Sequence, residues 1–216
     1  PTLLLQRRSD GVTPVATGGT TTEPLIRLGA TVSDPDPADQ IRLELEVRPV
    51  GTPFSGVATQ SSAPNPSGSA LLVSVAGLVD NGQYRWQARA VDQTGRTSAW
   101  NSLGGTGAHF RTALPPAAVA FDQQPTNTAA GVAITPAVRV AVLSASGSVL
   151  TSYTGPVTVA LASNTAGATL GGTTTLNAVS GIATFTDLSL DRVGSGYTLR
   201  ATVGILETTS SAFSVT

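Results

Sequence analysis

Apolar and polar residues alternate along this chain with a period of two, the repeat of a strand that buries one face. In the first half, Ile26, Leu28, Ala30 and Val32 share one face of a segment from Leu25 to Val32. Ile41, Leu43, Leu45 and Val47 share a face of the next, with Arg42, Glu44, Glu46 and Arg48 between them. That second pattern predicts a central strand with one wet face carrying a cross-strand charge ladder toward Arg85, Gln87 and Arg89. Phe54 to Ser69, interrupted by Pro64, Pro66 and Gly68, reads as irregular connection before Leu71, Val73 and Val75 resume the alternation. Tyr84, Trp86, Ala88 and Ala90 then predict a strand with Trp86 in the core, and His109-Phe110-Arg111 a last one. If Phe110 points inward, alternation sends His109 outward into solvent.

The second half keeps the same rhythm in a plainer vocabulary of Thr, Ser, Ala, Val and Gly. Val138, Val140 and Val142 alternate before the turn Ser144 to Ser148; Val157, Val159 and Leu161 alternate before the turn Asn164 to Gly167. Ile182 and Phe185 lead to Leu188 and Leu190, Tyr197, Leu199 and Ala201 form a strand after Gly194-Ser195-Gly196, and Phe213 and Val215 finish. Helical spacing is nowhere sustained, so strand-sized runs between Gly, Asn, Asp and Ser turns predict an all-β chain. Leu78, the turn Asp80-Asn81-Gly82 and then Tyr84 opening a core strand have the pattern of a tyrosine corner, whose phenol bonds backwards to pin a crossover between two sheets. The predicted fold is two tandem antiparallel β-sandwiches.

With 216 residues the chain has room for two such domains of about 100 residues each. Nine of the acids precede Thr112 and four follow it, and the composition changes at Ala113-Leu114-Pro115-Pro116-Ala117. The expected domains are therefore residues 1–113 and 118–216, joined by a short, semi-rigid, proline-containing linker over 114–117. There is no Cys or Met, and all 12 basic residues are Arg. Disulfides, thiolate metal sites, thiol nucleophiles and lysine chemistry are thereby excluded in cis. A net charge of −1 offers nucleic acid no basic footprint and anionic lipid no polybasic patch. No apolar run approaches the roughly 20 residues of a spanning helix. Leu3-Leu4-Leu5 followed by Arg7-Arg8 is the wrong order for a signal peptide, so a mature or excised segment is expected, with any export signal or anchor outside it.

Candidate chemistry is sparse. Asp34, Asp36 and Asp39 place three carboxylates in one loop and form the candidate calcium site, since hard cations take several oxygen ligands. Asp-Pro pairs are also ordinary turn formers, the competing reading. No other cofactor is expected. His109 is the only histidine, and no GxSxG or HExxH string is present, so the chain is expected not to be an enzyme. Trp100, at the mouth of a loop, is the candidate exposed contact for a sugar or protein. Thr20-Thr21-Thr22 and Thr173-Thr174-Thr175 fit exposed loops or edges and are candidate acceptors for O-linked sugar; no Asn-x-Ser/Thr acceptor exists.

Leu78, Tyr84, Trp86, Ala88, Ala90, Asp92, Gly95, Ser98 and Trp100 resemble the last third of the fibronectin type III-like modules of bacterial extracellular proteins. Phe121 to Pro125, Ile134 to Val138 and Gly194 to Leu199 resemble the bacterial immunoglobulin-like repeats of surface and secreted proteins. These resemblances imply an extracellular or cell-surface module that acts as part of a stalk, filament or adhesin. The alternative is an accessory spacer or carbohydrate-docking module of a secreted polysaccharide-degrading enzyme. The implied partners are other copies, neighbouring immunoglobulin-like modules, or a cell-surface glycan or protein. Self-assembly is expected through unguarded edges of the second domain, with Pro1 to Thr22 either donated to a neighbouring copy or folded back as the first strand of its own sandwich.

Overall fold

A computed structural model describes all residues, Pro1–Thr216, as twenty strands without a helix. The chain divides into two compact units, Pro1–Leu114 and Pro115–Thr216.

In the first unit one sheet has the order β1 (Thr2–Arg7), β3 (Leu25–Thr31), β7 (Ala70–Ala76). The other runs β2 (Gly19–Thr21), β10 (Phe110–Thr112), β8 (Gln83–Val91), β4 (Gln40–Pro49), β5 (Gln60–Ser61). Two further short strands extend it, β6 (Asn65–Pro66) on β4 and β9 (Asn101–Ser102) on β8. The core is what alternation demands: Ile26, Leu28, Ala30 and Val32 face Ile41, Leu43, Leu45, Trp86 and Phe110, all essentially excluded from water. Each such large side chain contributes about 1.5–3 kcal/mol on burial. The segment Pro1 to Thr22 is committed to its own sandwich and switches sheets within it. β1 pairs antiparallel with β3, whereas β2 pairs parallel with β10, so the two strands serve opposite layers.

In the second unit β11 (Ala118–Gln123), β12 (Val138–Leu143) and β16 (Ile182–Phe185) form one sheet. The opposing sheet is β15 (Thr175–Asn177), β13 (Pro156–Ser163), β18 (Gly194–Val203) and β19 (Leu206–Thr209), with β20 (Phe213–Val215) also on β18. β14 (Leu170–Gly171) and β17 (Ser189–Leu190) make a separate two-stranded ribbon. Val138, Val140, Val142, Phe185, Leu188, Leu190, Tyr197 and Leu199 fill the core. Ile182 is only partly covered; Ala183, opposite Val140, takes the inward place.

The outer edge of the last strand is not open. Ser211 and Ser214 donate their amides to Gln124 Oε1 (2.9 Å) and Asn127 Oδ1 (2.7 Å), so side-chain amides stand in for a neighbouring backbone. A parallel bridge between Thr128 and Val215 completes the cover. The threonine runs are only partly free. Thr21 is fully buried, Thr173 Oγ1 donates to Asp187 at 2.8 Å, and Thr175 Oγ1 bonds Thr158 Oγ1 at 2.9 Å. Thr21 is thus no acceptor for sugar in the folded chain.

Candidate functional site

β4 and β8 are antiparallel neighbours with Arg42 opposite Val91, so the loop that enters β4 lies beside the loop that leaves β8. This brings Asp92 to Asp34 and Asp39, their carboxylate oxygens within 4.8 Å of one another, in an open cleft of about 580 Å³. Asp36 is not part of this trio. Its Oδ1 accepts the Ala38 amide at 3.0 Å, closing the turn that the two Asp-Pro pairs begin. Asp34 Oδ1 accepts the Asp36 amide in the same manner. Asp92 was no part of the sequence expectation because it lies more than fifty residues away, and only strand pairing brings it in.

The three carboxylates are not equivalent. Asp92 Oδ1 accepts from Thr94 N (2.8 Å), Thr94 Oγ1 (2.8 Å) and Arg96 N (2.9 Å). These bonds, led by that of the Thr94 hydroxyl, hold its carboxyl below the usual range. Asp39 is pushed up, first by loss of hydration and then by the charges of Asp36, Asp34 and Asp92, against an opposing bond from Gln93 Nε2 at 2.6 Å. Crowded carboxylates of this kind suit a hard cation.

The expected wet face of β4 is buried where it is most charged. Glu46 is fully excluded from water and accepts from Ser55 N (2.6 Å), Ser55 Oγ (2.8 Å), Gly56 N (2.9 Å), Gln87 Nε2 (2.8 Å) and Arg48 Nε (2.9 Å). Burial alone would raise its carboxyl, but these donors outweigh it and bring the pKa down to about 2. Glu44 is held between Arg42 (3.1 Å) and Arg89 (2.8 Å). The ladder therefore exists, but the segment after Phe54 folds across it. Trp100 is half-buried, with the Arg89 guanidinium 4.6 Å from its ring centroid, and Phe54 meets Arg85 at 5.0 Å. One face of the Trp100 ring is thus already covered by a cation.

His109 is buried, contrary to the expectation of an outward edge residue. β10 begins only at Phe110, and the His109 ring replaces the next rung of the ladder. Its Nδ1 accepts the Trp86 backbone amide at 3.1 Å, which leaves the proton on Nε2, 3.1 Å from the Gly104 carbonyl oxygen. Gln6 ties this knot to β1 by donating to His109 O (2.9 Å) while its Oε1 accepts Trp86 Nε1 (3.0 Å). Burial lowers the His109 pKa, and the charge of Arg85 adds to the effect. A depressed folded pKa means that the stability from neutral His109 is fully present above the unfolded value of about 6.5 and is lost as pH falls below it. The urea midpoint of the first unit is accordingly expected to drop between about pH 7 and pH 5. His109→Asn, whose Oδ1 keeps the Trp86 bond without titrating, is expected to flatten that dependence.

Two tyrosines pin the sandwiches. Tyr84 Oη accepts the Val79 amide at 3.0 Å, five residues back, beside buried Leu78, and its ring stacks on Phe110 at 5.1 Å. Tyr197 repeats the device in the second unit, donating to the Arg192 carbonyl at 3.0 Å, again five residues back. This second corner was missed in the sequence, although Leu190, the Gly194 and Gly196 turn and Tyr197 carry the same signal.

No protein-family model and no curated protein matches the sequence. Among solved structures, the chain is similar to a β-glycosidase from Bacteroides vulgatus (14% identity, 98% of this chain and 24% of that one, TM-score 0.39). It is also similar to domains 4 and 5 of the S-layer protein SbsC (15%, 99% and 98%, 0.36). A third similar structure is that of the fibronectin(III)-like modules of Clostridium thermocellum CbhA (12%, 99% and 93%, 0.30). The chain spans about a quarter of the glycosidase chains it matches.

Proposed function

We propose that this chain is a non-catalytic structural module of an extracellular or cell-surface protein, a fibronectin type III-like sandwich followed by an immunoglobulin-like one. In such a protein it serves as part of a stalk, filament or adhesin. The observation that carries this reading is that the only histidine and the fully buried Glu46 are both spent on holding the fold. His109, the only candidate general base of its type, spends both ring nitrogens on backbone groups, and Glu46 is saturated by five donors. Proton transfer needs a group that can reach a substrate atom, and neither can.

A spacer role within a secreted polysaccharide-degrading enzyme fits the same fold, but direct docking on sugar is disfavoured because Arg89 already occupies a face of Trp100. The test is a polysaccharide pull-down, together with hydrolase assays, on the isolated chain and its Trp100→Ala variant. No retention and no turnover is expected. Retention that the variant loses would move the chain to the docking class, and turnover would sink the proposal.

The carboxylates of Asp34, Asp39 and Asp92 are the place where this module would take calcium, as such a cation needs several oxygens at about 2.3–2.6 Å. Calcium in the millimolar range is then expected to raise the melting temperature of the first unit, and Asp39→Asn to remove the rise. An unchanged melting curve of the native chain assigns these residues to the turns alone.

A further inference from the structure

The larger sheet of the first unit ends in strands of only two or three residues, which offer little edge to another chain. β10 is covered by β2, and β4 by β5 and β6. β1 is broken by an irregularity between Thr2 and Leu5, and its Gln6 carbonyl accepts the Val15 amide at 2.8 Å. β7 is different. It pairs with β3 alone, in an unbroken register from Leu25 opposite Ala76 to Thr31 opposite Ala70. Its sequence, Ala70-Leu71-Leu72-Val73-Ser74-Val75-Ala76, has no charge, no proline and no bulge. Those are the devices by which proteins keep an edge from pairing with another chain.

We propose that β7 is a self-association edge, through which two copies pair antiparallel and join their three-stranded sheets into one. Two features of the strand suit it to a second copy as the occupant. The first is the phase of the ladder. Val32 N–H donates to Ser69 O at 3.0 Å, so Ser69, Leu71, Val73 and Val75 aim their backbone groups at β3. Ala70, Leu72, Ser74 and Ala76 therefore present theirs to the open side. The second is the near-palindrome about Val73. With Val73 opposite Val73 of the second copy, Ala70 meets Ala76, Leu71 meets Val75 and Leu72 meets Ser74.

In that register every outward N–H and C=O of the strand finds a partner, and the wide, unbonded pair falls on Val73, whose own groups are already used. On the inner face, buried Leu71, Val73 and Val75 of one copy continue those of the other. On the outer face no like charges meet. The contact uses the same patch on both copies, so it closes as a dimer and does not propagate into a filament. This extends the structural-module reading. A strictly monomeric chain would refute the dimer and leave that reading intact.

The test is sedimentation velocity of the full chain across concentration, alone and with Ser74→Lys. Ser74 is exposed, and tryptophan emission and melting equal to those of the native chain at dilutions where both are monomeric check that the variant folds. The native chain is expected to shift to a dimer with concentration, and the variant to stay monomeric over the same range. Because the chain has no cysteine, the register is tested separately. Leu72→Cys and Ser74→Cys chains, mixed with a short thiol-to-thiol cross-linker, are expected to couple with each other and far less when each is alone. A native chain that stays monomeric, a dimer indifferent to Ser74→Lys, or cross-linking as strong in the unmixed samples would overturn the proposal.

Discussion

Replacing Glu46 with alanine is expected to destabilise the first unit by about 3 kcal/mol, the low end of what removing one partner of a buried ion pair costs. The low end applies because Arg48 remains 29% exposed and can turn its guanidinium to water, whereas Gln87 and the Ser55 and Gly56 amides lose their shared acceptor. The segment that folds over β4 is held by that carboxylate, so loosening of Phe54 to Ser62 is expected to accompany the loss. Acid acts in the same direction. Glu46 has its pKa lowered to about 2, so its contribution is present above the unfolded carboxyl value and is lost as pH falls from about 4.5 toward 2. Urea unfolding followed by tryptophan emission checks both effects, since Trp86 and Trp100 both lie in this unit. A Glu46→Ala chain as stable as the native one would show that the covered ladder contributes little.

The second large effect concerns the other unit. Tyr197 is fully buried, packs on Phe213 at 6.0 Å and donates to Arg192 O. Tyr197→Phe removes only the hydrogen bond and is expected to cost about 1 kcal/mol. Tyr197→Ala adds a cavity and is expected to cost about 3–5 kcal/mol. Circular dichroism should then register early unfolding of the second unit while tryptophan emission, which reports the first, keeps its native midpoint. A shift of the tryptophan midpoint equal to that of the dichroism would mean that the two units melt as one.

What was legible in the sequence followed from local period. Ile26 to Val32, Ile41 to Leu45, Leu71 to Val75 and Val138 to Val142 all bury the residues that alternation assigns to the core. Apart from the Tyr197 corner, whose signal is local, the failures trace to a partner distant in sequence. Period two marks Glu44 and Glu46 as facing away from the core, but it is silent about a later segment that folds across them with Ser55 as donor. Alternation also assumes that a strand continues, and it fails at His109 because β10 has not yet begun and an imidazole nitrogen serves as the ladder acceptor. Asp92 joins Asp34 and Asp39 only through the pairing of β4 with β8. The guarded edge of the last strand depends on Gln124 and Asn127, whose amides look like ordinary loop residues in the sequence.

The proposed role in a stalk or filament requires the chain to hold its shape under load, and stretching single chains tethered by their two ends measures that property directly. Two separate unfolding events are expected, one for each unit. Each should lengthen the tether by roughly 30–40 nm, from ~3.3–3.6 Å of extended chain per residue over a unit of about 100 residues. Smooth extension without force peaks, or a single event releasing the whole chain, would contradict the account of two independently folded sandwiches in series.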